Sequence, residues 1–120
     1  IERRQAEIWM PLAHDIRNEV PVKALIVSVT GNDPSLLNLA RRQGWLTTAK
    51  SINQAELRAW KDQGATHLAG SLNWEESFKP LTKGNTRDRL NKLLCEKPES
   101  TTCPEENHQT YLAPIKELIR

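Results

Sequence analysis

Between residues 8 and 20, Ile8, Leu12, Ile16 and Val20 recur every four positions. Trp9 widens the stripe, and charged and polar residues fill the opposite side. That spacing predicts an amphipathic helix over residues 2–19. Pro11 lies inside the pattern, so the helix either starts or kinks there. After Val20-Pro21-Val22 the period changes. Ala24-Leu25-Ile26-Val27-Ser28-Val29 is a short, nearly continuous apolar run, as expected of a strand covered on both faces. Thr30-Gly31-Asn32-Asp33-Pro34-Ser35 then reads as strand, turn, helix. Asp33 suits the N-cap, where a carboxylate accepts amide protons of the first turn, and Pro34 suits the first helical position, which needs no donor. Leu36, Leu37 and Ala40 supply the apolar stripe, and Gly44 is expected to stop this helix in a left-handed conformation.

A short strand is predicted over Gly44–Thr48. Asn53 with Glu56 forms a capping-box-like pair, and Ile52 can staple against Leu57, opening a helix that runs through Trp60 to Gln63-Gly64. Ala65–Gly70 is a third strand. Helix and strand therefore alternate, which indicates βαβ units and a parallel sheet. The expected fold is α/β: one small three-layer Rossmann-like domain spanning residues 1–120, with a mainly parallel sheet of three to four strands and helices on both faces. The signal weakens beyond residue 75. Residues 78–85 read as loop, Thr86–Leu94 as a short helix with Leu90, Leu93 and Leu94 inward, and Thr110–Ile115 as an edge strand bordered by Pro114, with a short helix as the alternative.

Composition narrows the function classes. The 120 residues are 38% hydrophobic and 27% charged, which excludes a disordered tail. No apolar run approaches the roughly 18 residues of a membrane span. Net charge is +2, with 8 basic and 6 acidic residues in the first sixty and 9 of each in the second. There is no concentrated basic footprint, so nucleic acid is not an expected partner. His14, His67 and His108 form no ligand spacing, so no metal is expected. Glycine-rich phosphate loops and a G-x-S-x-G elbow are both absent, and no cofactor is implied. Glu75-Glu76 reads as a solvated loop.

Cys95 and Cys103 are separated by a turn-rich segment that lets their ends approach. In an oxidising compartment they could bridge, contributing about 2–3 kcal/mol; in the cytosol two free thiols are expected. Trp9 and Trp60 fall on apolar helix faces and read as core. Trp45 beside a strand start and Trp74 in a loop could instead stack on a sugar. The loop Gly31-Asn32-Asp33-Pro34 sits where open α/β sheets bind ligands, although Asp33 is itself negative.

One longer pattern adds to this reading. Val20-Pro21-Val22-Lys23-Ala24-Leu25-Ile26-Val27, then Gly31-Asn32-Asp33-Pro34-Ser35-Leu36-Leu37, then Ala40-Arg41-Arg42-Gln43-Gly44-Trp45 resembles the C-terminal extramembrane region of bacterial membrane glycosyltransferases of the dolichyl-phosphate-mannose protein mannosyltransferase and aminoarabinose transferase type. A later stretch from Leu57 through Leu68, with Trp60, Gly64 and Ala65, is similar to the same family. The resemblance covers roughly residues 16–72. Asn38 and Leu39 depart from it, standing where aromatic residues are common, and nothing after residue 75 matches. In that family the catalytic acidic residues lie in the membrane part, so none is carried over. The resemblance implies a non-catalytic domain on the extracytoplasmic, periplasmic face of the inner membrane. Its partners would be the membrane part of the same polypeptide and a glycan or lipid-linked sugar. It makes the Ile1 start read as that of a piece cut from a longer membrane protein, and it favours the Cys95–Cys103 bridge. Asn32, Asp33, Arg42, Trp45 and Trp74 are the candidate contact residues. The alternatives are a free-standing Rossmann-like binding module for a small ligand or protein partner and, further off, a small enzyme.

Overall fold

The computed structural model describes residues 3–75, 80–81, 85–96, 102–104 and 109–120, with side chains from Glu7 onward. The expected loop over 78–85 lies outside the described residues except at Pro80, Leu81 and Asn85, and Glu76 and His108 lie outside them entirely. In chain order the elements are α1 (Arg3–Glu19), β1 (Leu25–Val29), α2 (Ser35–Ala40), β2 (Gln43–Leu46), a 3-10 turn (Ala49–Ser51), α3 (Gln54–Asp62), β3 (Ala65–Ser71), α4 (Thr86–Cys95), β4 (Thr110–Pro114) and α5 (Ile115–Leu118). The sheet order is β2-β1-β3-β4. β2, β1 and β3 are parallel, and β4 closes the far edge antiparallel to β3. The fold is a small Rossmann-like α/β domain.

Side-chain alternation along the strands divides the core in two. Ile26 and Ala69 face one way, onto Ile8, Trp9, Leu12, Ala13 and Ile16 of α1 and Leu36, Leu37 and Ala40 of α2. Val27, Val29 and Leu68 face the other way. They meet Leu57 and Trp60 of α3, Leu90 and Leu94 of α4, and Ile115 and Leu118 of α5. β1 is buried on both faces, which is why its sequence is nearly unbroken in apolar residues.

α1 neither starts nor stops at Pro11. The ring lies on the exposed side, and the stripe it interrupts is buried on both sides of it, with Trp9 only 1% exposed. Burying several large side chains at about 1.5–3 kcal/mol each outweighs the roughly 3 kcal/mol of an interior proline.

Gly44 does not stop α2. The left-handed residue after that helix is Arg41, at φ 55° and ψ 46°, and its amide bonds back to the Asn38 carbonyl. Gly44 is a β2 residue at φ 156°, where a Cβ would stand 1.7 Å from the Ile26 carbonyl oxygen. It is glycine because two backbones meet there. At the other end of α2 the N-cap is Pro34, whose carbonyl accepts from the Asn38 amide, so Asp33 is not the N-cap and Pro34 is not the first helical position. Asp33, one residue earlier, accepts from the Ser35 amide (3.0 Å) and hydroxyl (2.6 Å). Asn53 accepts from the Glu56 amide at 2.9 Å, as its capping pattern predicted. Cys95 and Cys103 are joined by a disulfide, which closes the segment after α4. No helix among the described residues is long and apolar enough to cross a membrane.

Candidate functional site

The strand order places a topological switch between β1 and β3. The chain leaves β1 through α2 toward β2 on one side, and returns through α3 to β3 on the other. Sheets of this kind bind ligands at the carboxyl ends of the strands flanking such a switch. Three loops converge there: Thr30–Asp33 after β1, Thr47–Thr48 after β2, and Leu72–Glu75 after β3.

The first loop is built from short polar residues that satisfy one another. The Thr30 hydroxyl donates to the Asp33 carbonyl at 2.8 Å, leaving its oxygen to accept from the buried Ser28 hydroxyl at 2.7 Å. Gly31 takes φ 62°, a conformation open to glycine, and its amide donates to the Thr47 carbonyl at 2.9 Å. The third loop is held similarly. The Ser71 hydroxyl accepts from the amides of Asn73 and Trp74, and Arg87 of α4 donates to the Leu72 carbonyl and to the Asn73 side chain. Glu75 is not a solvated loop carboxylate. It is half-buried and accepts from the Ala49 amide, tying the loop after β3 to the 3-10 turn after β2.

A buried phenol lies beneath this pole, in the core on the α3–α5 side of the sheet. Tyr111 of β4 stands opposite Gly70 of β3 and is 3% exposed. A Cβ on Gly70 would lie 2.8 Å from the Tyr111 hydroxyl and 3.0 Å from Val29. The phenol therefore occupies the space that glycine leaves empty, over the last residues of β3 and β1. Its hydroxyl is buried and has no hydrogen-bond partner among the described residues. Burial, reinforced by the charge of Glu75, raises its pKa well above the ordinary value, so the phenol stays neutral.

The five candidate contact residues do not converge. Asn32 is exposed and Asp33 half-buried on the β1 loop, and Trp74 lies at the same pole, packed against the α1–α2 side of the core. Trp45 sits within β2 and packs against the opposite side. Arg42 is at the other end of the sheet. Its guanidinium donates to the carbonyls of Val20 (2.7 Å) and Arg17 (3.4 Å) at the end of α1, and to those of Ala40 (3.2 Å) and Arg41 (3.1 Å) at the end of α2. It is a cation joining two negative helix ends. Trp9 and Trp60 are both buried in the core.

Sequence reasoning missed Tyr111 and Glu75. Gly70 in a buried strand was the one local signal for Tyr111, since such a glycine marks a close approach. Among the described residues no group of His, Cys, Asp and Glu could hold a metal. The chemistry of this pole rests on its own geometry, for no family model, curated protein or solved structure matches the chain.

Proposed function

We propose that this chain is the non-catalytic extracytoplasmic domain of an integral-membrane glycosyltransferase that takes sugar from a polyprenyl-phosphate donor and passes it to protein or lipid. The observation that carries this reading is how the carboxyl pole satisfies itself. Where a Rossmann-like enzyme would bind a ligand, the Ser28 and Thr30 hydroxyls bond to the protein's own groups, and Tyr111 packs into the core beneath Gly70. The residues that carry the family resemblance support it from another direction. Asp33 bonds to Ser35 at the start of α2, Arg42 joins two helix ends, Gly44 permits backbone contact and Trp45 packs on the core. These are fold-forming roles, as a non-catalytic domain requires. The Cys95–Cys103 disulfide fits an oxidising compartment such as the periplasm.

On this reading, Asn32 and Trp74 at the carboxyl pole are the residues placed to meet a glycan or the membrane part of the same polypeptide. The test uses the complete reading frame. It should encode multiple apolar spans, and both cysteines should resist alkylation in intact cells until reduced, then react with a membrane-impermeant maleimide. A reading frame without spans, or cysteines that are reduced in the cell, would overturn the proposal. Deleting the chain should leave the membrane part with measurable transfer to acceptor. Complete loss from a correctly inserted membrane part would place catalysis in this domain.

A further inference from the structure

At the amino ends of the strands, Val22, Lys23, Ala24, Leu25, Arg41 and Gln43 line an open cleft of about 320 Å³. Three features distinguish it. Lys23 and Arg41 are both exposed, and among the described residues neither side chain has a hydrogen-bond or ion-pair partner. Val22 is 71% exposed, the most exposed large apolar side chain among the described residues. Arg41 holds the left-handed position after α2, where a Cβ is disfavoured and glycine is the usual occupant.

Fold requirements do not account for these residues. The carbonyls that end α1 and α2 are already served by Arg42. The Arg41 side chain adds no bond of its own there, so the chain keeps a charge at a position where glycine would be more comfortable. Arg17 and Glu19, both exposed on the last turn of α1 that leads into this turn, offset each other and leave the Lys23–Arg41 pair in excess.

The ligand chemistry follows from what the cleft offers and what it lacks. A discrete phosphate is usually held by converging backbone amides. Here the amides of Ala24, Arg41 and Arg42 are engaged with Pro21, Asn38 and Leu37, so these do not converge on an anion. What the cleft presents is a pair of exposed cations beside an exposed valine. That combination suits a diffuse anionic surface with an apolar layer beneath it. We propose that this pole docks on an anionic phospholipid bilayer, with Lys23 and Arg41 over the headgroups and Val22 entering the interface. The inference goes beyond the proposed parentage, because the isolated chain is expected to bind lipid whatever protein it belongs to.

The test is co-sedimentation of the chain with vesicles of equal parts phosphatidylglycerol and phosphatidylcholine, against phosphatidylcholine alone. Binding is expected only to the anionic vesicles, and it should fall as salt rises. The double variant Lys23→Gln/Arg41→Gln should bind about thirtyfold more weakly, roughly fivefold for each cation. The pair Lys50→Gln/Lys92→Gln, exposed elsewhere, should bind within about twofold of the parent. Arg41→Gly keeps the fold testable, since glycine suits the left-handed position. It should unfold at the same or a higher temperature while binding lipid about fivefold more weakly. Equal binding to neutral vesicles, equal loss in both double variants, or displacement by millimolar pyrophosphate at constant ionic strength would each overturn the proposal. Failure here would leave the parentage standing, since that is decided by the reading frame and the cysteines.

Discussion

The two sides of the sheet are covered in different ways. One is covered by α1 and α2, which lie within the first forty residues, so a local apolar stripe on each helix suffices to build the layer. The other is assembled from α3, α4, α5 and the 3-10 turn, which are spread over residues 49–118. It uses ties of long sequence separation. Gln54 donates to the Leu118 carbonyl and accepts from the Arg120 amide, and Arg120 pairs with Glu96 at 2.8 Å. A layer built from neighbouring segments can rely on apolar burial. A layer gathered from distant segments also needs specific bonds to fix which piece goes where, because closing each long loop carries an entropy cost.

The most severe break is expected on the first side. Trp9→Ala removes its largest fully buried side chain and should destabilise by about 3–5 kcal/mol in urea unfolding. Because both layers share one sheet, amide protection of α3 should fall together with that of α1. Persistence of protected α3 would mean that the layers unfold separately.

Removing the disulfide by Cys95→Ser/Cys103→Ser should cost about 2–3 kcal/mol. The added exchange should concentrate in α4 and spare α1, where no such tie exists. Arg42→Ala should cost about 1–2 kcal/mol, since it leaves the carbonyls at two helix ends without their cation. Asn53→Ala, a cap on the other side, should cost about 1 kcal/mol. If Arg42→Ala proves harmless, the α1–α2 layer is held by apolar burial alone and the contrast between the layers sharpens.

The smallest effect is a pH dependence at His67. This residue is half-buried in β3 beside the Thr66 hydroxyl at 2.8 Å. Burial lowers its pKa below the ordinary 6.5; Glu19 and Glu117 oppose that, and Lys116 adds slightly to it. With the folded value depressed, the unfolded chain binds more protons in this range, so stability rises with pH. The contribution of the neutral ring is complete above about 6.5 and is lost as pH falls through that value toward the folded one. A His67→Gln variant should show a flatter stability profile between pH 5 and 7 than the parent, measured by thermal unfolding. An unchanged slope would assign the dependence to other groups.

Legibility followed the range of the interactions. The Ile8–Val20 stripe, the Leu25–Val29 run, the Asn53 cap and the Leu90–Leu94 helix face were readable because each depends on residues within a few positions. Arg41 was passed over in favour of Gly44, since glycine is the better left-handed residue by itself; the Ile26 backbone, distant in sequence, decided where that glycine was needed. The candidate site was less legible. Asn32, Asp33 and Trp74 were expected near the strand ends and lie there. Arg42 lies at the other pole because α2 has carried the chain back across the sheet before the parallel β2 begins, and Trp45 lies within β2 on the face turned to the other layer.

By itself, then, the sequence determined the alternation of elements, the parallel α/β class and the apolar faces, all of which follow from local periodicity and backbone preference. Only the tertiary structure decided that a phenol lies buried beneath the carboxyl pole. That outcome joins Gly70, Val29 and Tyr111, three residues from separate parts of the chain. No pattern along a chain encodes their meeting, because it arises when β4 pairs with β3 and brings a phenol over a glycine.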